Sequence, residues 1–180
     1  MKATGIVRRI DDLGRIVIPK EIRKTLRIRE GDPLEIFTDR EGKVILKKYS
    51  PIGELGTLAG IYADSLSKTL DCTVCITDTD QVIAAAGNGK KELQEMLLSA
   101  ELAEVFQERK TVLKKSSDAE FVAITKDRSE YSEEIISVIL SEGDIAGGVI
   151  FLQKNEKKHF GEMEKKFAAG AADLLGRQLS

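Results

Sequence analysis

The sequence predicts two domains of different fold class: an all-β domain over residues 1–53 that pairs with a second chain, and an α+β domain over residues 54–180. Residues 1–53 carry 13 Lys or Arg and 8 Asp or Glu, a net charge of +5, whereas the remainder carries 15 and 22, a net charge of −7. Short β-branched runs fill the first part, and long helix-period apolar patterns begin only after it. A compact basic domain on an otherwise acidic protein indicates a nucleic-acid partner.

The N-terminal elements follow from local patterns. Four β-branched or alternating runs predict strands: Ile6–Ile10, Ile16–Ile18, Leu34–Asp39 and Val44–Lys48. The turn signal Asp11-Asp12-Leu13-Gly14 separates the first two strands, and Pro19 suits the first position of a helix over Lys20–Leu26. Tyr49–Gly53 is short and is expected to link the two domains.

The N-terminal domain is too small to bury a sufficient core alone. A unit of about 50 residues without disulfide or metal rarely folds independently. The runs Ile16-Val17-Ile18 and Val44-Ile45-Leu46 are apolar on both faces, which leaves no side suited to solvent. We therefore expect this domain to share its sheet with a second copy of the chain.

The C-terminal domain begins and ends with a helix. The first carries an apolar stripe at spacings of three and four, Leu55, Leu58, Tyr62, Leu66 and Leu70, and the last, from Gly161 to Leu179, carries Phe160, Met163, Phe167, Ala171 and Leu174. The strands expected between them are Thr73–Thr77, Gln81–Ala86, Thr111–Lys115, Phe121–Lys126, Glu134–Ser141 and Ile145–Gln153. Glu92–Arg109 is expected to be helical, with an interruption near Ser99. Terminal helices that flank an antiparallel sheet make an α+β domain.

The two helical stripes have two interpretations. They are either the core of the domain itself or a helix bundle between chains, and the small residues of 168–172 favour the second. If both domains pair, and with different partners, a homotetramer follows.

The remaining candidate residues indicate no catalytic set, cofactor or metal. Cys72 and Cys75 enter a strand, where residues three apart face opposite sides, so we expect two small buried residues rather than a redox or zinc pair. His159 has no partner at an interpretable spacing and is expected at the surface. No nucleophile–base pair is visible, so no enzyme activity is expected. Without a long apolar run or signal core, the expected location is cytoplasmic, with no membrane contact.

The basic N-terminal segment resembles a known family. The residues that carry the resemblance are Gly5-Ile6-Val7-Arg8-Arg9-Ile10-Asp11-Asp12-Leu13-Gly14-Arg15-Ile16-Val17-Ile18-Pro19-Lys20-Glu21-Ile22-Arg23-Lys24-Thr25-Leu26, followed by Gly31-Asp32-Pro33-Leu34-Glu35-Ile36. They are similar to the AbrB family of bacterial transition-state regulators, over residues 1 to about 53. The resemblance implies a β-barrel of swapped hairpins from two chains, with double-stranded DNA as the partner.

The resemblance also implies which side chains bind DNA. The family's DNA-contacting arginines fall on Arg8, Arg15 and Arg23, and Lys24 stands where arginine is common. Lysine lacks the bidentate fork of arginine, so Lys24 is expected to contact phosphate rather than a base edge. Arg9 and Lys20 are expected as further phosphate contacts. The plainer interpretation of all six is solvated surface charge.

The C-terminal domain resembles GAF domains in element order and in the segment Ser141-Glu142-Gly143-Asp144-Ile145-Ala146-Gly147-Gly148-Val149. This implies ligand sensing or oligomerisation, with effector and binding residues unknown. An AbrB-like domain joined to a GAF-like domain is similar to regulators of forespore genes in spore-forming bacteria, which act positively at some promoters and negatively at others. The alternative is an antitoxin-type interaction protein, since the AbrB-like fold also serves antitoxins. Those usually carry a disordered toxin-binding tail, whereas residues 54–180 have the pattern of a folded domain.

Overall fold

The computed structural model describes residues 5–126 and 130–179 of the chain. It divides into two compact units, Met1–Tyr49 and Ser50–Ser180, which we call the head and the tail. No helix in these described ranges is long and apolar enough to cross a membrane.

The head contains one helix and one hairpin. Helix α1 spans Lys20–Thr25, and strands β1 (Leu34–Thr38) and β2 (Val44–Lys48) pair antiparallel. In the turn between them, the carboxylate of Asp39 accepts the backbone N–H groups of Glu41 and Lys43, each at 2.9 Å. The predicted helix and this predicted hairpin are therefore confirmed.

The two strands predicted near the N-terminus do not form within one chain. Ile6–Ile10 and Ile16–Ile18 belong to no sheet of the described residues, and β1 and β2 pair only with each other. The turn between them does form, because the Asp11 N–H donates to the Arg15 carbonyl oxygen at 3.0 Å. A strand pairs with another strand through its backbone hydrogen bonds, and no strand of the described head pairs with these runs.

The head exposes most of its apolar side chains. Among its described residues only Pro19 is buried. Thirteen large hydrophobic side chains are exposed: Ile6, Val7, Ile10, Leu13, Ile16, Val17, Leu26, Ile36, Phe37, Val44, Ile45, Leu46 and Tyr49. A single head therefore has secondary structure but no hydrophobic core.

The tail is a five-stranded antiparallel sheet with helices on both faces. Its strands are β3 (Thr73–Thr77), β4 (Val82–Ala86), β5 (Val112–Lys115), β6 (Glu133–Ser141) and β7 (Asp144–Gln153), in the spatial order β4-β3-β7-β6-β5. Its helices are α2 (Pro51–Glu54), α3 (Gly56–Leu70), α4 (Lys90–Leu93), α5 (Ala100–Gln107) and α6 (Glu162–Gln178). Helices α3 and α6 pack on one face, and α5 packs on the other.

Each face of the tail sheet has its own core. Along β6, Ile135 and Ile139 belong to the core under α3 and α6, whereas Ile136 and Val138 belong to the core under α5. Alternate residues of a strand point to opposite faces, and both faces of this sheet are covered, so nearly the whole of β6 is buried.

Three predicted tail segments differ from the structure. Phe121–Lys126 is not a strand, since its pairing is a single bridge between Thr125 and Leu98. The helix predicted over Glu92–Arg109 is two helices, α4 and α5, because residues 94–98 instead cover the outer edge of β4. The expected linker contains α2, whose Ile52 is fully buried in the tail core.

The stripe predicted for α6 is only partly buried: Phe160 lies in the core and Ala171 packs against it, but the rest of the buried face differs. The buried residues of α6 are Ala168, Ala172, Leu175 and Gly176. Of the predicted stripe, Met163 is 65% exposed and Phe167 is 42% exposed. The helix lies very close to the sheet, since a Cβ on Gly176 would be 2.1 Å from the Leu140 carbonyl oxygen. The small side chains of Ala168 and Ala172 permit this approach, and Met163 and Phe167 are left on the outer face.

Candidate nucleic-acid interface

All six predicted DNA-contacting residues lie in the head, on three consecutive segments. Arg8 and Arg9 are on the segment before the turn, and Arg15 closes the turn. The remaining three, Lys20, Arg23 and Lys24, are on α1. Their spacing of three and four places them on one face of that helix. Five of the six are exposed, and Arg23 is half-buried.

The turn that carries Arg15 is built by Asp11. One carboxylate oxygen, Oδ1, accepts the backbone N–H groups of Leu13 at 3.1 Å and Arg15 at 2.7 Å. The other, Oδ2, accepts the Nε–H of the Arg15 guanidinium at 2.8 Å. Gly14 has φ +75°, a conformation that glycine adopts without strain, and its N–H donates to the Asp11 carbonyl oxygen at 3.0 Å.

These contacts keep Asp11 ionised. The hydrogen bond from the Arg15 backbone N–H, followed by that from the Arg15 guanidinium, lowers the pKa of Asp11 below its usual value, and the Leu13 N–H contributes in the same direction. Hydrogen bonds to a carboxylate favour its charged form. The Asp11 carboxylate is therefore available as an acceptor for Arg15 at neutral pH.

The other predicted cations have no ion-pair partner among the described residues. These are Arg8, Arg9, Lys20, Arg23 and Lys24. Acidic side chains elsewhere in the head pair with different lysines: Asp39 lies 3.2 Å from the Lys43 Nζ, and Asp32 lies 3.0 Å from the Lys48 Nζ. The positive charge of the predicted DNA-binding residues is thus mostly uncompensated within one head.

The cysteines of the tail are structural. Cys72 and Cys75 are free and buried, and they belong to the cores on opposite faces of the sheet. Burial raises the pKa of each thiol to about 12, so both are protonated at neutral pH. The prediction of two small buried residues is confirmed. Within the described ranges, no cluster of three or more His, Cys, Asp or Glu side chains could hold a metal ion.

One side-chain contact between distant residues of the tail was missed by sequence reasoning. His159 is exposed as predicted, but its Nδ1 lies 2.7 Å from the Oε1 of Glu133, whose side chain is almost fully buried. The other oxygen of Glu133 accepts the Phe160 N–H at 2.7 Å. The two residues are 26 positions apart, so no local pattern could have identified the pair.

Two family profiles together match nearly all of the chain. Residues 54–180 match the family described as stage V sporulation protein T C-terminal, transcription factor. Residues 7–54 match the family described as antidote-toxin recognition MazE, bacterial antitoxin.

Two proteins of Bacillus subtilis (strain 168) are similar in sequence. Stage V sporulation protein T is 50% identical over 183 residues, which cover 99% of this chain and 99% of the relative. Transition state regulatory protein AbrB is 65% identical over 51 residues, which cover 28% of this chain and 52% of the relative. The head is therefore AbrB-like, as predicted.

Solved structures share the fold of the tail. The GAF domain of a phosphoenolpyruvate-protein phosphotransferase (ptsP) from Coxiella burnetii is 19% identical with a TM-score of 0.54, and 69% of this chain and 82% of that chain are covered. A type II free methionine-R-sulfoxide reductase from Thermoplasma acidophilum is 12% identical with a TM-score of 0.56, and 71% of this chain and 94% of that chain are covered. These likenesses concern the fold alone, and they confirm the predicted GAF-like class of the tail.

Proposed function

The chain belongs to the stage V sporulation protein T family of transcription factors, and from this premise we propose that it regulates forespore genes through paired heads that bind double-stranded DNA. It activates some promoters and represses others. The observation that carries the proposal concerns the surface of the head. This surface combines exposed apolar side chains with five cations that have no ion-pair partner in the described chain.

Pairing of two heads accounts for the missing core. Exposed side chains such as Val7, Val17 and Ile36, which are 88%, 74% and 66% exposed, become buried when a second head covers them. The runs 6–10 and 16–18 gain strand neighbours in the same step, which is what a barrel of swapped hairpins requires. Fully burying an aliphatic side chain of this size stabilises by about 1.5–3 kcal/mol, so several together hold two chains firmly.

Two paired heads present their cations twice, related by a two-fold axis. Repeated contacts then fit the repeating phosphates of a duplex. Arg8, Arg15 and Arg23 can donate two parallel hydrogen bonds to a phosphate or a guanine, whereas Lys24 acts as a point charge. Because phosphate contacts dominate such a surface, we expect strong salt dependence, modest sequence specificity and some readout of DNA shape.

The tail supplies a second pairing surface. On α6 the side chains of Met163, Phe167 and Leu174 are exposed, and on α3 Ile61 is 62% exposed. Both helices pack on the same face of the tail sheet. Pairing of this helical layer with a second tail, in addition to pairing of the heads, yields the homotetramer. A small-molecule effector bound by the GAF-like tail then changes the relative placement of the heads and thus the affinity for promoters.

The test is DNA affinity of the full chain as a function of salt. Arg15→Ala should weaken binding about tenfold and reduce the slope of log affinity against log salt by about one. Arg177→Ala is the matched control, because it removes an arginine whose side chain is 77% exposed in the tail. If Arg8→Ala, Arg15→Ala and Arg23→Ala all bind like the wild type, the proposed interface is wrong.

An antitoxin-type interaction protein is the second candidate function, favoured by the match of residues 7–54 to a bacterial antitoxin family. Antitoxins usually use a disordered tail, whereas Ser50–Ser180 is a compact unit with two cores, which supports the regulator. Co-purification of one small stoichiometric protein whose toxicity this chain suppresses would support the antitoxin instead.

A further inference from the structure

We propose that Asp11 is a positioning residue for DNA binding, and that it strengthens binding by holding the Arg15 guanidinium although it carries the same sign of charge as DNA. The inference rests on the proposed function, since it concerns how the head binds a duplex. A carboxylate within a phosphate-binding surface would ordinarily weaken binding by repulsion. The geometry around Asp11 indicates the opposite effect.

The two carboxylate oxygens of Asp11 have separate roles. Oδ1 accepts the N–H groups of Leu13 and Arg15 and so closes the turn. Oδ2 accepts the Arg15 Nε–H at 2.8 Å and so fixes the direction of the guanidinium. One oxygen holds the backbone of the turn and the other holds the Arg15 side chain. A single substitution can therefore separate the two roles.

The Arg15 nitrogens that do not contact Asp11 are the ones that can donate hydrogen bonds to DNA. A guanidinium has five N–H donors, and Nε carries only one of them. The four donors on Nη1 and Nη2 make no hydrogen bond within the described chain, and the side chain is 69% exposed. These two nitrogens can donate in parallel to a phosphate or to the O6 and N7 of guanine. A guanidinium that is already oriented loses less rotamer entropy on binding.

The neighbouring residue supplies a matched comparison. Asp12 is exposed and carries the same charge, but it makes no hydrogen bond or ion pair with a described residue. Repulsion from the duplex acts on both carboxylates to a similar degree, because the residues are adjacent. Only Asp11 combines that repulsion with a contact to Arg15.

The experiment compares Asp11→Asn and Asp12→Asn in the full chain, each alone and combined with Arg15→Ala, by fluorescence anisotropy with a labelled duplex. Both substitutions remove one negative charge. Asparagine at position 11 keeps an acceptor for the turn but replaces Oδ2 with an amide that cannot accept the Arg15 Nε–H. We expect Asp12→Asn to bind as tightly as the wild type or tighter, and Asp11→Asn to bind about three- to tenfold more weakly. In the Arg15→Ala background, the weakening by Asp11→Asn should disappear.

The outcomes separate this inference from the proposed function. If Arg15→Ala weakens binding but Asp11→Asn binds as tightly as Asp12→Asn, the positioning role is wrong and the proposed interface stands. If Asp11→Asn weakens binding equally with and without Arg15, it acts through the turn alone, and the inference is again overturned. If Arg15→Ala binds like the wild type, Arg15 is not part of the interface and the inference falls with that assignment.

Discussion

The head and the tail differ in where their apolar side chains lie. Among the described residues, thirteen of the nineteen exposed large hydrophobic side chains are in the head, although it is much the smaller unit. All of the residues that form the two hydrophobic cores are in the tail. The tail therefore holds its structure by contacts within one chain, whereas the head requires contacts from another.

This difference separates two kinds of stability. A unit with its own core can stay folded as a single chain, whereas a unit completed by a partner unfolds when dilution separates the chains. The same chain should show both behaviours. Substitutions of one residue type at positions of similar exposure provide a direct comparison between the two units.

The largest expected effect comes from a charge in the apolar surface of the head. Ile36 and Ile61 are 66% and 62% exposed, one in the head and the other in the tail. Ile36→Asp should abolish pairing of the heads and DNA binding, because an unpaired charge buried between chains costs several kcal/mol. Light scattering and DNA titration measure both effects. Ile61→Asp should leave the tail folded and at most convert tetramers to dimers. If the two variants bound DNA equally well, the proposed difference between head and tail would be contradicted.

A cavity in the tail should have the next largest effect. Leu175, on the inner face of α6, is fully buried, and its neighbour Leu174 is 37% exposed. Leu175→Ala should lower the free energy of unfolding of the tail by about 2–5 kcal/mol, independent of protein concentration. Leu174→Ala should have a smaller effect that depends on concentration, because this side chain lies on the proposed tail-pairing surface. Urea unfolding at two protein concentrations distinguishes the two.

The pH dependence of the tail provides a third test. Glu134 is fully buried, and burial raises its pKa to about 7, although the Val122 N–H and Lys114 oppose this shift. The unfolded chain releases this proton near pH 4.5 and the folded chain near pH 7, so stability decreases as pH rises between these values. Glu134→Gln should remove this dependence, which amounts to roughly 3 kcal/mol.

Urea unfolding of the wild type and this variant from pH 4.5 to 7.5 measures the dependence. A constant difference in the free energy of unfolding between the two proteins over this range would show that Glu134 does not titrate as expected. The variant also retains an acceptor for the Val122 N–H, which bonds to the Glu134 Oε1 at 3.0 Å.

The smallest expected effect concerns Glu133, the residue next to Glu134, whose pKa shift has the opposite direction. Burial of Glu133 favours its neutral form, but the Phe160 N–H, His159 and Lys115 together outweigh burial and lower its pKa. Its contribution to stability is therefore present above pH 4.5 and is lost as pH falls through the depressed pKa. His159→Ala should destabilise the tail by about 1 kcal/mol at neutral pH and less in acid. An equal loss at both pH values, measured by thermal unfolding, would argue against the contact.

The local structure of the candidate interface was largely predictable from the sequence, because it depends on residues that are close along the chain. The turn before Arg15 and the helix after Pro19 depend on residues within a few positions, and both form where predicted. The role of Asp11 also had a signal, because aspartate at the start of a turn commonly accepts backbone N–H groups two to four residues later. That signal was visible but was interpreted only as a turn.

Predictions that depended on distant residues were less successful. Phe121–Lys126 has an apolar pattern suitable for a strand, yet it has no strand beside it and forms a single bridge. The stripe predicted for α6 includes the exposed residues Met163 and Phe167, whereas the residues buried in the core lie one position further along, such as Ala168 and Leu175. Periodicity shows that a helix has apolar faces, but it does not show which face a neighbouring sheet will cover.

The sequence alone determined the division into a basic and an acidic part and the local turns and helix of the head, since each depends on composition or on neighbours along the chain. The tertiary structure decided which side of α6 is buried and which acid contacts His159. Which face of a helix is buried depends on how closely its backbone can approach the sheet. Contacts between side chains that are distant along the chain follow from that packing. The exposure of each apolar side chain in the described head is also a tertiary fact, because burial depends on what surrounds a side chain rather than on its type.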